Sequence, residues 1–279
     1  MYTVIGLGGV GCRVAKSFSK YPQYNVVCID DQKTDWYCEL VLQKQEKPED
    51  YEESVSTIPN RIKEKVKDKV IVVVSGSSMV SSSILQLLYQ VKDKSITILY
   101  VQTEIELLTE IKKKHERMVF SVLQEYARSG RFKEIILVSN SSIDNMIENA
   151  SIKEYYPAIN ELISSTYHMI KVFENQNPVV TNFSNINVAR RVASLGVMDM
   201  STAMEKEFYS MSERMDVKLY YGICSESLKS NTKLQREIID VIKSKNTDLC
   251  KYSYGVYETK YDHDFCCTKT FSSKVQQIA

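Results

Sequence analysis

The sequence predicts an α/β fold: a doubly wound, mostly parallel sheet, then a long central helix, then a smaller C-terminal α+β domain. Three observations carry this prediction. A short apolar strand at Val4-Ile5 breaks into Gly6, Gly8, Gly9 and Gly11 and continues as a helical pattern through Val14, Phe18 and Tyr21. Apolar runs suited to a sheet covered on both faces then alternate with helical stretches. Last, a long helical pattern at 151–174 separates this region from one in which short strands prevail. The expected division is an α/β domain over 1–150, the central helix over 151–178, and a C-terminal domain with its leading loop and helices over 179–279.

The first junction, YTVIGLGGVGCR, has the order strand, glycine turn, helix. Glycines let the backbone approach a ligand closely, and the unpaired N–H groups of a helix N-terminus favour an anion, normally a phosphate. The turn is expected to cradle a nucleotide's phosphates. Gly6-Leu-Gly8-Gly9-Val-Gly11 also satisfies the dinucleotide fingerprint, with Asp30 and Asp31 closing the next strand where a ribose-binding acid would sit. Taken alone this stretch would also fit a NAD enzyme, whereas a tight turn with no ligand is the weaker alternative, since four glycines in six residues exceed what a turn needs.

Tyr24 to Ile29 predicts a second strand, and 32–56 a polar loop anchored by Trp36 and Tyr37. Ile58 to Lys69 predicts an amphipathic helix. Val70 to Val74 is the clearest core strand and runs into the serine-rich turn 75–83 and a helix with Leu85, Leu87, Leu88 and Val91. Serine N–H and hydroxyl groups suit a phosphate or, equally, a helix cap. Ser95 to Gln102, a helix over 104–128, and Lys133 to Ser139 continue the alternation. Both turns, Asp30-Asp31, Gln102 and Asn140 then fall on one edge, at the strand carboxyl ends where doubly wound sheets bind ligands. Beyond the central helix, 182–195 predicts a loop and a short helix. Strands at 217–224, 252–257 and 264–271 surround a helix at 234–243.

Composition narrows the partners. Of 279 residues 43% are hydrophobic and 25% charged, with Lys+Arg 36 against Asp+Glu 35, so no nucleic-acid surface and no charged tail is indicated. Seven scattered cysteines without a C-x-x-C pair indicate a reducing, cytoplasmic setting, and Cys266-Cys267 are expected on opposite faces of a strand. His115, His168 and His263 lack ligand-spaced partners, so no metal site is expected, and no apolar run is long enough for a membrane span.

The order of these parts resembles the tubulin/FtsZ superfamily over most of the chain. YTVIGLGGVGCRVA resembles the first phosphate loop, typically VIGVGGGGGNAV, and VVVSGSSMVSSSI stands in place of the GGGTGTG loop. IILVSN resembles the strand ending in Pro-Asn, YYPAINEL the start of the central helix, and VTNFSNINVARRVASLG the loop written NVDFADVRTVM. The resemblance implies a bacterial, phage or plasmid FtsZ- or TubZ-like protein; the compact length and short C-terminus match phage- or plasmid-borne members.

By the same resemblance, Gly6, Gly8, Gly9, Gly11, Cys12 and Arg13, with Gly76, Ser77 and Ser78, would surround the phosphates of GTP or GDP, with or without Mg2+. Glu110 would lie at the ribose, where the dinucleotide pattern sets Asp31. Asn140 and Glu161 would hydrogen-bond guanine, and Tyr156 would stack on it. In the loop after the central helix Asn182 is kept, but Ser184 and Asn187 replace the two acids that orient the attacking water, which implies slow or absent hydrolysis. The expected partner is a second copy, joined head to tail into filaments. Two other readings stay open: a structural or adaptor homologue without nucleotide, and a Rossmann-type NAD or adenylating enzyme.

Overall fold

Among the described residues a single sheet of twelve strands joins the first half of the chain to the second. The computed structural model describes residues 1–32, 38–55, 58–147, 150–183 and 191–277. In chain order the elements are β1 (Tyr2–Leu7), α1 (Gly8–Ser17), β2 (Tyr24–Asp30), β3 (Leu40–Val41), α2 (Asn60–Lys63), β4 (Lys69–Val74), α3 (Ile84–Gln90), β5 (Ser95–Gln102), α4 (Glu110–Arg128), β6 (Glu134–Ser139), α5 (Asn140–Asp144) and α6 (Tyr155–Glu174). The second half adds β7 (Val180–Thr181), β8 (Val192–Met198), β9 (Glu205–Glu207), β10 (Asp216–Cys224), α7 (Ser225–Ser230), α8 (Leu234–Lys245), β11 (Lys251–Thr259) and β12 (Phe265–Ser272).

The strand order is β3-β2-β1-β4-β5-β6-β8-β12-β10-β11-β7, with β9 beside β8. All pairs from β3 to β8 are parallel, and β12 lies antiparallel to both β8 and β10. The apolar runs explain this centre. In β4, Val70, Val72 and Val74 enter one core with α3 and α4, while Ile71 and Val73 enter the other with α1 and α6. The doubly wound α/β expectation therefore holds. Cys266 and Cys267 likewise enter different cores, as period-two alternation requires.

Two segments differ from the sequence reading. Val192 and Leu195, expected in a short helix, belong to β8, which pairs with β6 and β12 and so carries the sheet into the second half. A buried apolar run has no periodicity to separate strand from helix; its neighbours on both sides decide. The helix expected over 58–69 is only the four residues of α2, with Ile62 as its buried contact. Trp36 and Tyr37 lie outside the described residues.

The central helix α6 joins the two halves. Its Phe173, 1% exposed, stacks on Tyr257 with ring centres 4.5 Å apart and planes 20° apart. Burial of such a ring is worth about 2–3 kcal/mol. Beside it Glu134, Lys171 and Lys269 are buried and the partly exposed Glu174 closes the cluster: Lys269 Nζ lies 2.8 Å from Glu134 Oε2 and 3.5 Å from Glu174, and Lys171 Nζ lies 2.7 Å from Glu174. Burial alone would raise the Glu174 pKa, but Lys269 and Lys171 hold it well below the carboxylate range. This cluster ties β6, α6 and β12 together.

Candidate nucleotide site

The carboxyl ends of β1, β2, β4, β5 and β6 form one edge, and the predicted glycine turn lies at its middle. Gly8 opens α1 with φ +73°, and a Cβ there would sit 2.5 Å from Ser78 Oγ. Only glycine fits that conformation and contact. The first and second turns therefore touch, with Gly8 against Ser78. Gly6 and Gly11 serve packing: a Cβ on Gly11 would lie 2.4 Å from the Val73 carbonyl oxygen and one on Gly6 2.6 Å from Cys12 Cα. They let α1 lie against β1 and β4 with its N–H groups at the edge.

Cys12 turns its thiol inward, within 3.4 Å of the Gly6 carbonyl oxygen and 3.5 Å of that of Ile29. The thiols of Cys28 and Cys38 lie against it and, with burial, push its pKa far up. Only its backbone could meet a ligand. Asp31 is likewise turned away, because its carboxylate accepts the Tyr51 hydroxyl, which itself accepts the Gln45 N–H at 2.9 Å. Its neighbour Asp30 faces the turn instead, 3.7 Å from where a Gly9 Cβ would stand. Burial raises its pKa to about 6, partly offset by the Asp31 N–H and by Arg13.

The serine-rich turn is shaped from beneath. The Gly76 N–H donates to Tyr100 Oη at 3.2 Å, and Tyr100 donates to Glu116 Oε1 at 2.7 Å. A Cβ on Gly76 would come within 2.4 Å of Tyr100 Oη and 2.9 Å of Glu116 Cα, so glycine is required. Burial lowers the His115 pKa; its Nδ1 donates to the Gly76 carbonyl at 2.7 Å and its Nε2 pairs with Ser82 Oγ at 2.8 Å. Ser77 Oγ pairs with Ser75 Oγ at 2.9 Å.

At the end of β5 the buried atoms Gln102 Nε2 and Thr103 Oγ1 have no hydrogen-bond partner among the described residues. Orphaned polar atoms on a ligand-binding edge are those that a bound polar molecule would satisfy. Asn140, 4% exposed at the end of β6, donates from Nδ2 to Glu104 at 3.4 Å, which leaves its carbonyl oxygen as an acceptor. An open cleft of about 500 Å³ lies between α1 and α6, lined by Arg13, Lys16, Tyr156 and Asn160 among others. Tyr156 is 43% exposed, and its ring packs edge to face with Tyr155 at 5.1 Å between centres.

The structure places Glu161 elsewhere, in an ion pair with Lys20. Helix geometry gives the reason. Position i+4 lies roughly 40° around the helix from i, whereas i+5 lies roughly 140° away. Asn160 therefore shares the cleft with Tyr156, and the i, i+4 spacing was the available indication. Glu110 is not gathered into the site either: it pairs with Lys113 at 3.1 Å on the exposed start of α4. Asn182 lies with β11, where its N–H donates to the Tyr254 carbonyl at 3.0 Å and its Oδ1 accepts the Tyr254 N–H at 2.7 Å. Ser184 and Asn187 lie outside the described residues. Thr103, Tyr100 and Glu116 went unrecognised in sequence because nothing local marks them.

No family model and no curated protein matches the sequence. Solved structures do match. An empty FtsZ dimer from M. jannaschii aligns with TM-score 0.69 and 10% identity over 97% of this chain and 88% of that one. GDP-form protofilaments of TubZ from Bacillus thuringiensis serovar israelensis align with TM-score 0.68 and 14% identity over 97% and 86%. The GTPgS-bound protofilament of CetZ2 from Haloferax volcanii aligns with TM-score 0.70 and 14% identity over 97% and 92%. The chain has a tubulin/FtsZ-like fold, and that fold extends over nearly its whole length. Among the described residues no helix is long and apolar enough to cross a membrane.

Proposed function

We propose that this chain is a tubulin-like cytoskeletal protein that binds guanine nucleotide at the edge around Gly8 and assembles head to tail, with slow or absent hydrolysis. The observation that carries the reading is the convergence on one edge of the Gly8–Ser78 contact, the orphaned Gln102 and Thr103, and Asn140, with the Tyr156–Asn160 cleft beside it between α1 and α6. Backbone N–H groups at the start of α1, with Arg13, would meet phosphate charge. The carbonyl oxygens of Asn140 and Asn160 suit the N1–H and 2-amino donors of guanine, and the Tyr156 ring offers a stacking face. Solved structures of the same fold are GDP-form and GTPgS-bound protofilaments, which supports both nucleotide and assembly. The proposed slow turnover rests on the sequence alone, on Ser184 and Asn187 standing where acids are expected.

A second reading, a homologue that keeps the fold without nucleotide, is favoured by the serine turn, whose Ser75 and Ser77 hydroxyls satisfy each other. Nucleotide content separates the two. Gently purified protein is denatured, the released base and phosphate number are identified by chromatography, and phosphate release from added GTP is followed. Bound GTP or GDP with negligible turnover is expected. Protein that neither carries nor takes up guanine nucleotide would select the second reading. Preference for NAD or ATP would revive the Rossmann-type enzyme, whose strand order the first six strands share.

A further inference from the structure

An apolar groove runs along the outward side of α3 and α4. On α3, Leu85 and Tyr89 are one turn apart and 40% and 60% exposed; on α4, Met118 and Tyr126 are 52% and 39% exposed, with Val122 midway between them. The face of α4 beside this stripe is already spent on the sheet through Val119, Phe120 and Leu123. The helix is thus apolar on two adjoining sides, more than a helix packed against one sheet requires.

The groove has two halves, of about 300 Å³ and about 420 Å³, and Leu85 lines both, which puts it at the centre. Glu52 and Glu53 frame one end; Lys92 and Arg131 frame the other. None of these four charges is in an ion pair among the described residues. An apolar strip with an acidic and a basic end is complementary to itself after a half-turn.

We propose that this groove is a two-fold docking surface for a second copy of the chain. Rotation about an axis near Leu85 sets Glu52 and Glu53 of each copy against Lys92 and Arg131 of the other, while the apolar strips close on one another. Sliding the copies together in the same direction would instead oppose like charges. The contact needs neither nucleotide nor head-to-tail assembly. Because a half-turn reverses α3 and α4, two filaments joined this way would run antiparallel.

The test uses the full chain without added nucleotide. Leu85→Cys is expected to cross-link to itself under mild oxidation, giving a disulfide dimer well above the native chain's background, because a residue on a two-fold axis faces its own copy. Light scattering is expected to show Lys92→Glu/Arg131→Glu and Glu52→Lys/Glu53→Lys each self-associating about tenfold more weakly, and an equal mixture of the two forming a heterodimer. No cross-link above background, or a mixture that stays monomeric while each variant is folded by circular dichroism, overturns the proposal. A head-to-tail contact alone gives neither result.

Discussion

Glu116 carries a buried carboxyl with 0% exposure, hydrogen-bonded by Tyr100 on one oxygen and by nothing among the described residues on the other. Burial raises its pKa to about 7 from an ordinary 4.5, and the Tyr100 hydrogen bond only moderates the rise. Between these two values the folded chain binds a proton that the unfolded chain has released. Its contribution is therefore fully present below about pH 4.5 and is lost as pH rises through 7. The whole swing is about 3 kcal/mol, at roughly 1.4 kcal/mol per pH unit. Glu116→Gln keeps the shape and cannot titrate. Denaturant unfolding at pH 5.5 and 7.5 is expected to show the native chain losing about 2 kcal/mol more than the variant over that interval. Parallel pH profiles for the two proteins would refute the reasoning, because they would mean that the carboxyl is ionised in the fold throughout.

Other substitutions test neighbouring parts of the account. Gly76→Ala is expected to destabilise by on the order of 3 kcal/mol in thermal or chemical unfolding, since its methyl group meets Tyr100 Oη and the Glu116 backbone. Lys269→Met leaves Glu134 and Glu174 short of a buried cation, and a loss of about 3–5 kcal/mol is expected, largest near neutral pH and smaller in acid as the carboxylates protonate. Asn160→Ala is expected to lower retention of guanine nucleotide several-fold with little change in stability. Glu161→Ala, which removes a half-exposed pair with Lys20, should change stability by less than about 1 kcal/mol and leave nucleotide retention unchanged. Equal losses from the two would return Glu161 to the site.

The expected parallel centre was legible because its causes are local. VIVVV must be covered on both faces wherever it lies, and strand, glycine turn and helix follow one another within a dozen residues. Gly8 was identifiable for the same reason, since its positive φ belongs to the turn itself. Pairing is not local. Nothing within VASLGVM states that it lies between β6 and β12, and so the run reads as readily as helix. Side-chain direction follows the same rule: Asp30 and Asp31 are equal candidates until the Tyr51 hydroxyl claims one of them. Glu116 is one more charged residue in IKKKHERMVF until packing seals it beneath Gly76 and removes the water that would set its pKa. The sequence by itself determined the sheet's parallel core and the glycine turn, because propensity, burial pattern and φ act within a few residues. The tertiary structure alone decided which side chains face the edge and which charges are buried, because those depend on partners dozens of residues away.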